Sequence, residues 1–261
     1  MINLYLSKEK KIYYNFINKK SKKPVLVFLH GLGVNWTVWK PILEYFKKQN
    51  HPILYQDLRG HGKNAFFDSY QLEDFAQDLN EILNKEKIKK VILIGHSLEG
   101  MISLIFYKFY KSKLKKLILL NTTYKNPIPK WYLYFIGPID RFITKIVTHT
   151  FLKKLYKYRD FSKLKNNSNF TLVLKNMFYR REMQFECIKN ITNLDLTSLI
   201  KQIKIPTLII ASTKDELFSP KIEKRMHKYI KTSKLEILKG THALPLKKAE
   251  LIAKEIQDFI K

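Results

Sequence analysis

Short apolar runs recur along the chain, and each stops at a small or polar residue. Pro24 to Leu29 ends at His30-Gly31, Ile53 to Tyr55 leads into Asp57, and Val91 to Ile94 leads into Gly95. Leu117 to Leu120 runs into Asn121, Pro206 to Ile210 into Ala211, and Leu235 to Leu238 toward Gly240. Continuous runs of this length mark strands covered on both faces. Between them the spacing turns helical: Leu72, Phe75, Ala76, Leu79, Ile82 and Leu83 fall on one face. Ala249, Ile252, Ala253, Ile256 and Phe259 do the same near the C-terminus. Strand and helix alternate, so the pattern predicts an α/β fold: a mostly parallel central sheet with helices on both faces.

Two departures frame this core. Leu4 to Leu6 and Ile12 to Ile17 read as an antiparallel hairpin across Ser7-Lys8-Glu9-Lys10. From Thr122 to Lys204 the alternation stops, and aromatic, basic and helical-looking segments replace it. Residues 122–204 are therefore expected to form a helical cap over the sheet's C-terminal edge, with 1–121 and 205–261 as the core. Met1 to Leu6 holds no apolar stretch long enough for a signal peptide, and no run approaches the roughly 18 residues of a membrane span. The expected location is the cytoplasm.

With 261 residues, 45% of them hydrophobic, the chain can bury a sizeable core. Its formal net charge is +27, which raises the question of an anionic partner. Only six of the 49 basic residues are Arg, the side chain that reads phosphates and bases bidentately. The lysines look scattered beside many Asn, Ile and Tyr, as A/T-biased coding would produce, and drift is the favoured reading. A nucleic-acid partner is not expected; a lipid-surface or polyanion-binding role driven by the lysine excess stands as a third reading, its peripheral membrane contact without support from any motif; the oligomeric state is left open. Cys187 is the single cysteine, so neither an intramolecular disulfide nor a cysteine metal site can form.

The chemistry concentrates at strand ends. In Val91-Ile92-Leu93-Ile94-Gly95-His96-Ser97-Leu98-Glu99-Gly100 a buried strand ends, a serine follows, and an apolar helix begins. Such a turn lifts the hydroxyl above the sheet and leaves the next N–H free to donate. His30-Gly31-Leu32-Gly33 follows the first central strand, Asp57-Leu58-Arg59-Gly60-His61-Gly62 the next. Asp215 lies just past the run ending at Ala211, and His242 just past the final strand.

These ordered motifs resemble the α/β-hydrolase superfamily, in particular its small capped serine esterases and lipase-like members. The resemblance implies Ser97 as nucleophile, His242 as general base and Asp215 as the acid that orients it, with Glu216 as fallback. It implies Leu32 and Leu98 N–H groups as the oxyanion hole, and a scaffolding role for the Asp57–Gly62 turn. The implied reaction is hydrolysis of a carboxylic ester, lipid-like or aromatic, through an acyl-enzyme, with no metal or organic cofactor. Trp131, Tyr134 and Phe135 are candidate substrate-binding residues in the cap.

One position departs from the family's G-x-S-x-G. Glu99 stands where a small residue belongs, and the glycine comes one place later, at Gly100. A large side chain there implies strain or a side chain turned outward, and the latter is expected. The alternative is a non-catalytic member that binds a ligand or partner, with Glu99 marking lost activity. Fluorophosphonate labelling separates the two.

Overall fold

The computed structural model describes residues 3–6, 11–64, 67–126 and 181–261. Eight strands form one sheet: β1 (Asn3–Leu6), β2 (Lys11–Ile17), β3 (Val25–Leu29), β4 (Ile53–Gln56), β5 (Val91–His96), β6 (Leu114–Leu120), β7 (Thr207–Ser212) and β8 (Ser233–Leu238). Their order is β1-β2-β4-β3-β5-β6-β7-β8. The first two pairings, β1 with β2 and β2 with β4, are antiparallel, and all the others are parallel. The hairpin read from the sequence is present, with Leu4 opposite Tyr13. The loop joining its strands, and Trp131, Tyr134 and Phe135, lie outside the described residues.

The longer helices are α1 (Lys40–Lys48), α2 (Leu72–Lys85), α3 (Leu98–Tyr110), α4 (Arg181–Ile191), α5 (Pro220–Tyr229) and α6 (Ala249–Ile260). The unbroken apolar strands make sense once their two faces are followed. Val27, Leu29, Leu93, Leu117, Leu119 and Ile209 pack into one buried cluster with α2, α3 and α4. Leu26, Phe28, Ile92, Ile94, Ile118 and Ile210, alternating with them, pack into a second with α1 and α6. Every inward position on both faces must then be apolar, which period-two alternation alone would not allow. Burying a side chain of this size stabilises by about 1.5–3 kcal/mol.

Parallel strands all end on the same edge. The turns after β3, β4, β5, β6, β7 and β8 therefore gather Gly31–Gly33, Asp57–Gly62, Ser97, Asn121, Asp215 and His242 along one rim, as in other open α/β sheets. Tyr124 and the α4 residues Met183, Cys187 and Ile191 join the first core cluster, so this part of the 122–204 segment packs on the sheet's helical layer.

Candidate active site

β5 is buried throughout and ends at His96; α3 begins at Leu98. Ser97 between them has φ +62° and ψ −123°, a conformation a non-glycine residue adopts at a cost of order 1–3 kcal/mol. Three hydrogen bonds hold it. Ser97 N–H donates to the Leu120 carbonyl at 3.0 Å, Gly100 N–H donates to the Ser97 carbonyl at 3.0 Å, and Thr122 Oγ1 donates to that same carbonyl at 2.6 Å. A Cβ at Gly95 would strike the Glu99 carbonyl, and one at Gly100 would strike the Thr122 side chain. The elbow thus uses glycine two places before the serine and three places after it.

The other two groups arrive from distant strand ends. His242 Nε2 lies 2.9 Å from Ser97 Oγ, and His242 Nδ1 lies 2.9 and 3.1 Å from the two Asp215 oxygens. The Asp215 side chain is wholly buried and that of His242 is 18% exposed. Asp215 Oδ1 also accepts from the Leu217 and Phe218 N–H groups, each at 2.8 Å. Burial alone would raise its pKa; the bond to His242 and its charge, with those two N–H groups, outweigh burial and hold it below the ordinary value. Glu216, the fallback acid, accepts instead from the His242 backbone N–H at 3.1 Å.

His96 is a further member of this rim. Its Nε2–H donates to the His242 carbonyl at 2.9 Å, and its ring lies 4.9 Å from the His242 ring. Burial first, then the charge of His242, push its pKa down to about 3, so it stays neutral and fixes the backbone that carries His242. Behind it, Asn121 Nδ2 donates to Ser212 Oγ and the Thr241 carbonyl, tying the ends of β6 and β7 to the same loop.

The His30-Gly31-Leu32-Gly33 loop is braced by the Asp57–Gly62 turn. Gly33 N–H donates to His61 Nε2 at 3.1 Å, Leu58 N–H donates to His30 Nε2 at 3.0 Å, and Trp36 N–H donates to Asp57 Oδ1 at 3.0 Å. Burial pushes His30 down to about 4, which keeps it an acceptor. Arg59 grips Asp78 on α2 through Nε at 2.8 Å and Nη2 at 2.7 Å, away from Ser97. Gln184 on α4 faces Gly33, where an added Cβ would meet its amide. Sequence reasoning missed Gln184 because its segment carries no strand-end signal.

Glu99 corrects an expectation. It does not turn outward: it is fully buried, and among the described residues its carboxylate oxygens meet no hydrogen-bond partner beyond the approach of its own backbone N–H. Position 99 lies on the inner side of α3's first turn, near Cys187 of α4. Burial drives its pKa well above the ordinary carboxylate value. It does not separate the serine from the histidine, which stand in hydrogen-bond contact. Glu223 of α5 is a second buried carboxyl that the sequence reading passed over. Its Oε1 accepts from Thr122 N–H at 3.2 Å, and burial with the nearby Asp215 raises its pKa to about 9. Its place on α5's inner face, three residues before buried Met226, was the available signal. Among the described residues, no three His, Cys, Asp or Glu side chains cluster as a metal site requires.

A parallel sheet with a serine elbow, an oriented histidine and a glycine-rich loop on one rim defines an α/β hydrolase. Residues 24–249 match the family model described as alpha/beta hydrolase fold, and the chain belongs to that family. It is 31% identical over 252 residues to the pimeloyl-[acyl-carrier protein] methyl ester esterase of Wigglesworthia glossinidia brevipalpis, covering 90% of this chain and 93% of that protein. It is 23% identical to 3-oxoadipate enol-lactonase 1 of Acinetobacter baylyi, covering 94% and 91%. The fold is shared with an esterase from Exiguobacterium antarcticum at a TM-score of 0.78 and 21% identity, over 100% and 99% of the two chains. Relatives of this kind make the chain a hydrolase, with ester cleavage supported at the level of the family.

Proposed function

We propose that the chain is a serine hydrolase that cleaves a small carboxylic ester or lactone through an acyl-enzyme on Ser97. The observation that carries this reading is the 2.9 Å contact between Ser97 Oγ and His242 Nε2, with Asp215 on the opposite ring nitrogen. His242 Nε2 takes the serine proton as Oγ bonds to the acyl carbon, and the carbonyl pair moves onto oxygen. Asp215 keeps the Nδ1–H tautomer and stabilises the imidazolium. The N–H groups of Leu32 and Leu98 are the proposed donors to the oxyanion; Leu98 opens α3, so its N–H has no acceptor within the helix. His242 then returns the proton to the leaving alkoxide, and water, activated the same way, cleaves the acyl-enzyme.

The buried Glu99 does not count against this, because an uncharged carboxyl does not repel an oxyanion and burial favours the uncharged form. The substrate follows the relatives only as far as chemistry: an acyl group with a small leaving alcohol, or its cyclic counterpart. The test is a fluorophosphonate probe with a panel of activated esters of rising acyl length. Wild type labels at Ser97 and turns over, while Ser97→Ala does neither, with kcat lower by about 10⁴-fold or more. A folded wild type that neither labels nor hydrolyses any ester leaves the binding-protein alternative in its place.

A further inference from the structure

The lysines that look scattered in the sequence are sorted by the fold. The segments leading into β3, β4, β5, β6, β7 and β8 (residues 18–24, 47–52, 85–90, 111–116, 201–206 and 228–232) hold eighteen lysines, no arginine and one acidic residue, Glu86. All six lie on the edge of the sheet opposite the triad. Among the described residues, the segments leaving β3, β4, β6, β7 and β8 on the triad's edge (30–35, 57–71, 121–126, 213–219 and 239–243) hold five basic residues against four acidic ones; the undescribed residues 127–180 are not counted. Compositional drift accounts for many lysines but treats both edges alike.

Sixteen of the eighteen lysines are exposed; Lys113 and Lys116 are half-buried. Lys19 pairs with Glu86 at 2.7 Å, and Lys47 lies 3.5 Å from Glu44. Lys23 and Lys116 donate to the carbonyls of Gln49 and Phe259, which leaves their charge uncancelled. Helix C-termini also end here, and each presents about half a negative charge. Five of them, from α1, α2, α3, α5 and α6, offset only a few of the lysines. The six strands are neighbours, so at about 4.8 Å per strand the basic row is roughly 24 Å long.

We propose that this basic edge is a docking surface for an anionic lipid bilayer. Two observations select lipid over nucleic acid. The row is entirely lysine, a point charge that suits headgroups, and lacks the arginine forks that read phosphates and bases bidentately. Phe109, in the last turn of α3 beside this row, is 51% exposed, with Lys108 Nζ 4.8 Å from its ring centre. An exposed aromatic beside a lysine is an arrangement found in interfacial anchors. No described helix is long and apolar enough to cross a membrane, so the contact is with the surface. Docked this way, the triad's rim faces away from the bilayer. The proposal is independent of the serine chemistry.

The experiment is vesicle co-sedimentation at about 0.15 M salt, where exposed charges act over roughly 8 Å. Neutral phosphatidylcholine vesicles are compared with vesicles containing about one-third phosphatidylglycerol, with fluorophosphonate labelling or circular dichroism confirming the fold. Wild type binds the anionic vesicles and not the neutral ones. Each lysine near the surface is worth about fivefold in partitioning, so Lys89→Gln, Lys90→Gln and Lys115→Gln together lower it about a hundredfold. Phe109→Ser lowers it about tenfold. Lys221→Gln with Lys239→Gln, on the triad's edge, leaves it unchanged. Equal binding to neutral vesicles, no binding at this salt, or equal loss in the two lysine sets overturns the proposal. So does retention of duplex DNA at the same salt without vesicle binding.

Discussion

Replacing Glu99 by Gln should stabilise the protein progressively as pH rises. Glu99 is fully buried, with no side-chain partner among the described residues, and burial lifts its pKa well above the ordinary value despite the approach of its own backbone N–H. Below about pH 4.5 the folded and unfolded chains both hold the proton, and the group contributes no pH dependence. Above it the unfolded chain releases the proton while the folded chain keeps it. Stability then falls by about 1.4 kcal/mol for each pH unit until the buried acid ionises. While the folded chain keeps the proton, each pH unit is worth on the order of 4 °C in Tm for a domain of this size. Gln carries two N–H groups that are also unpartnered there, and these subtract a constant of about 1–3 kcal/mol. That offset shifts the comparison vertically without changing its slope. Urea unfolding of wild type and Glu99→Gln at a series of pH values above about 4.5 gives the slope directly. Parallel stability curves would refute the reasoning, because they would mean that Glu99 is ionised in the folded protein and has a partner.

Two further substitutions probe the site. Asp215→Asn keeps the shape but offers His242 the wrong tautomer, and kcat should fall about 10⁴-fold with KM little changed, measured by steady-state ester hydrolysis. Thr122→Val removes the hydroxyl that holds the Ser97 carbonyl while keeping the volume; the lost bond is worth about 1–2 kcal/mol, so kcat should drop roughly tenfold, and Thr122→Ser should restore it.

Much of this arrangement is legible in the sequence because a parallel sheet translates chain order into space. Each continuous apolar run is a strand, and each polar residue just after one lands on the same rim. Ser97, Asp215 and His242 therefore meet although they are far apart in the chain. Glu99 was read differently because burial of a side chain on α3 depends on α4, a helix about 80 residues away whose packing no local pattern encodes. His96 was read only as the residue between Gly95 and the serine. That its ring donates to the His242 carbonyl depends on the loop after β8 returning to the end of β5 across β6 and β7. The lysines show the same limit in reverse: their spacing along the chain is irregular, and the partition emerges only when strand starts are aligned.

β8 lies at one border of the sheet, hydrogen-bonded to β7 alone, and its side chains are only partly covered. On the proposed reading the general base hangs from a border strand, whereas the nucleophile sits on a central one. Heat or denaturant that loosens this border would silence the enzyme while most of the protein remained native, so an activity half-life measures the hold of one strand rather than the endurance of the whole molecule. A ribosome must likewise pass His242 before any turnover begins.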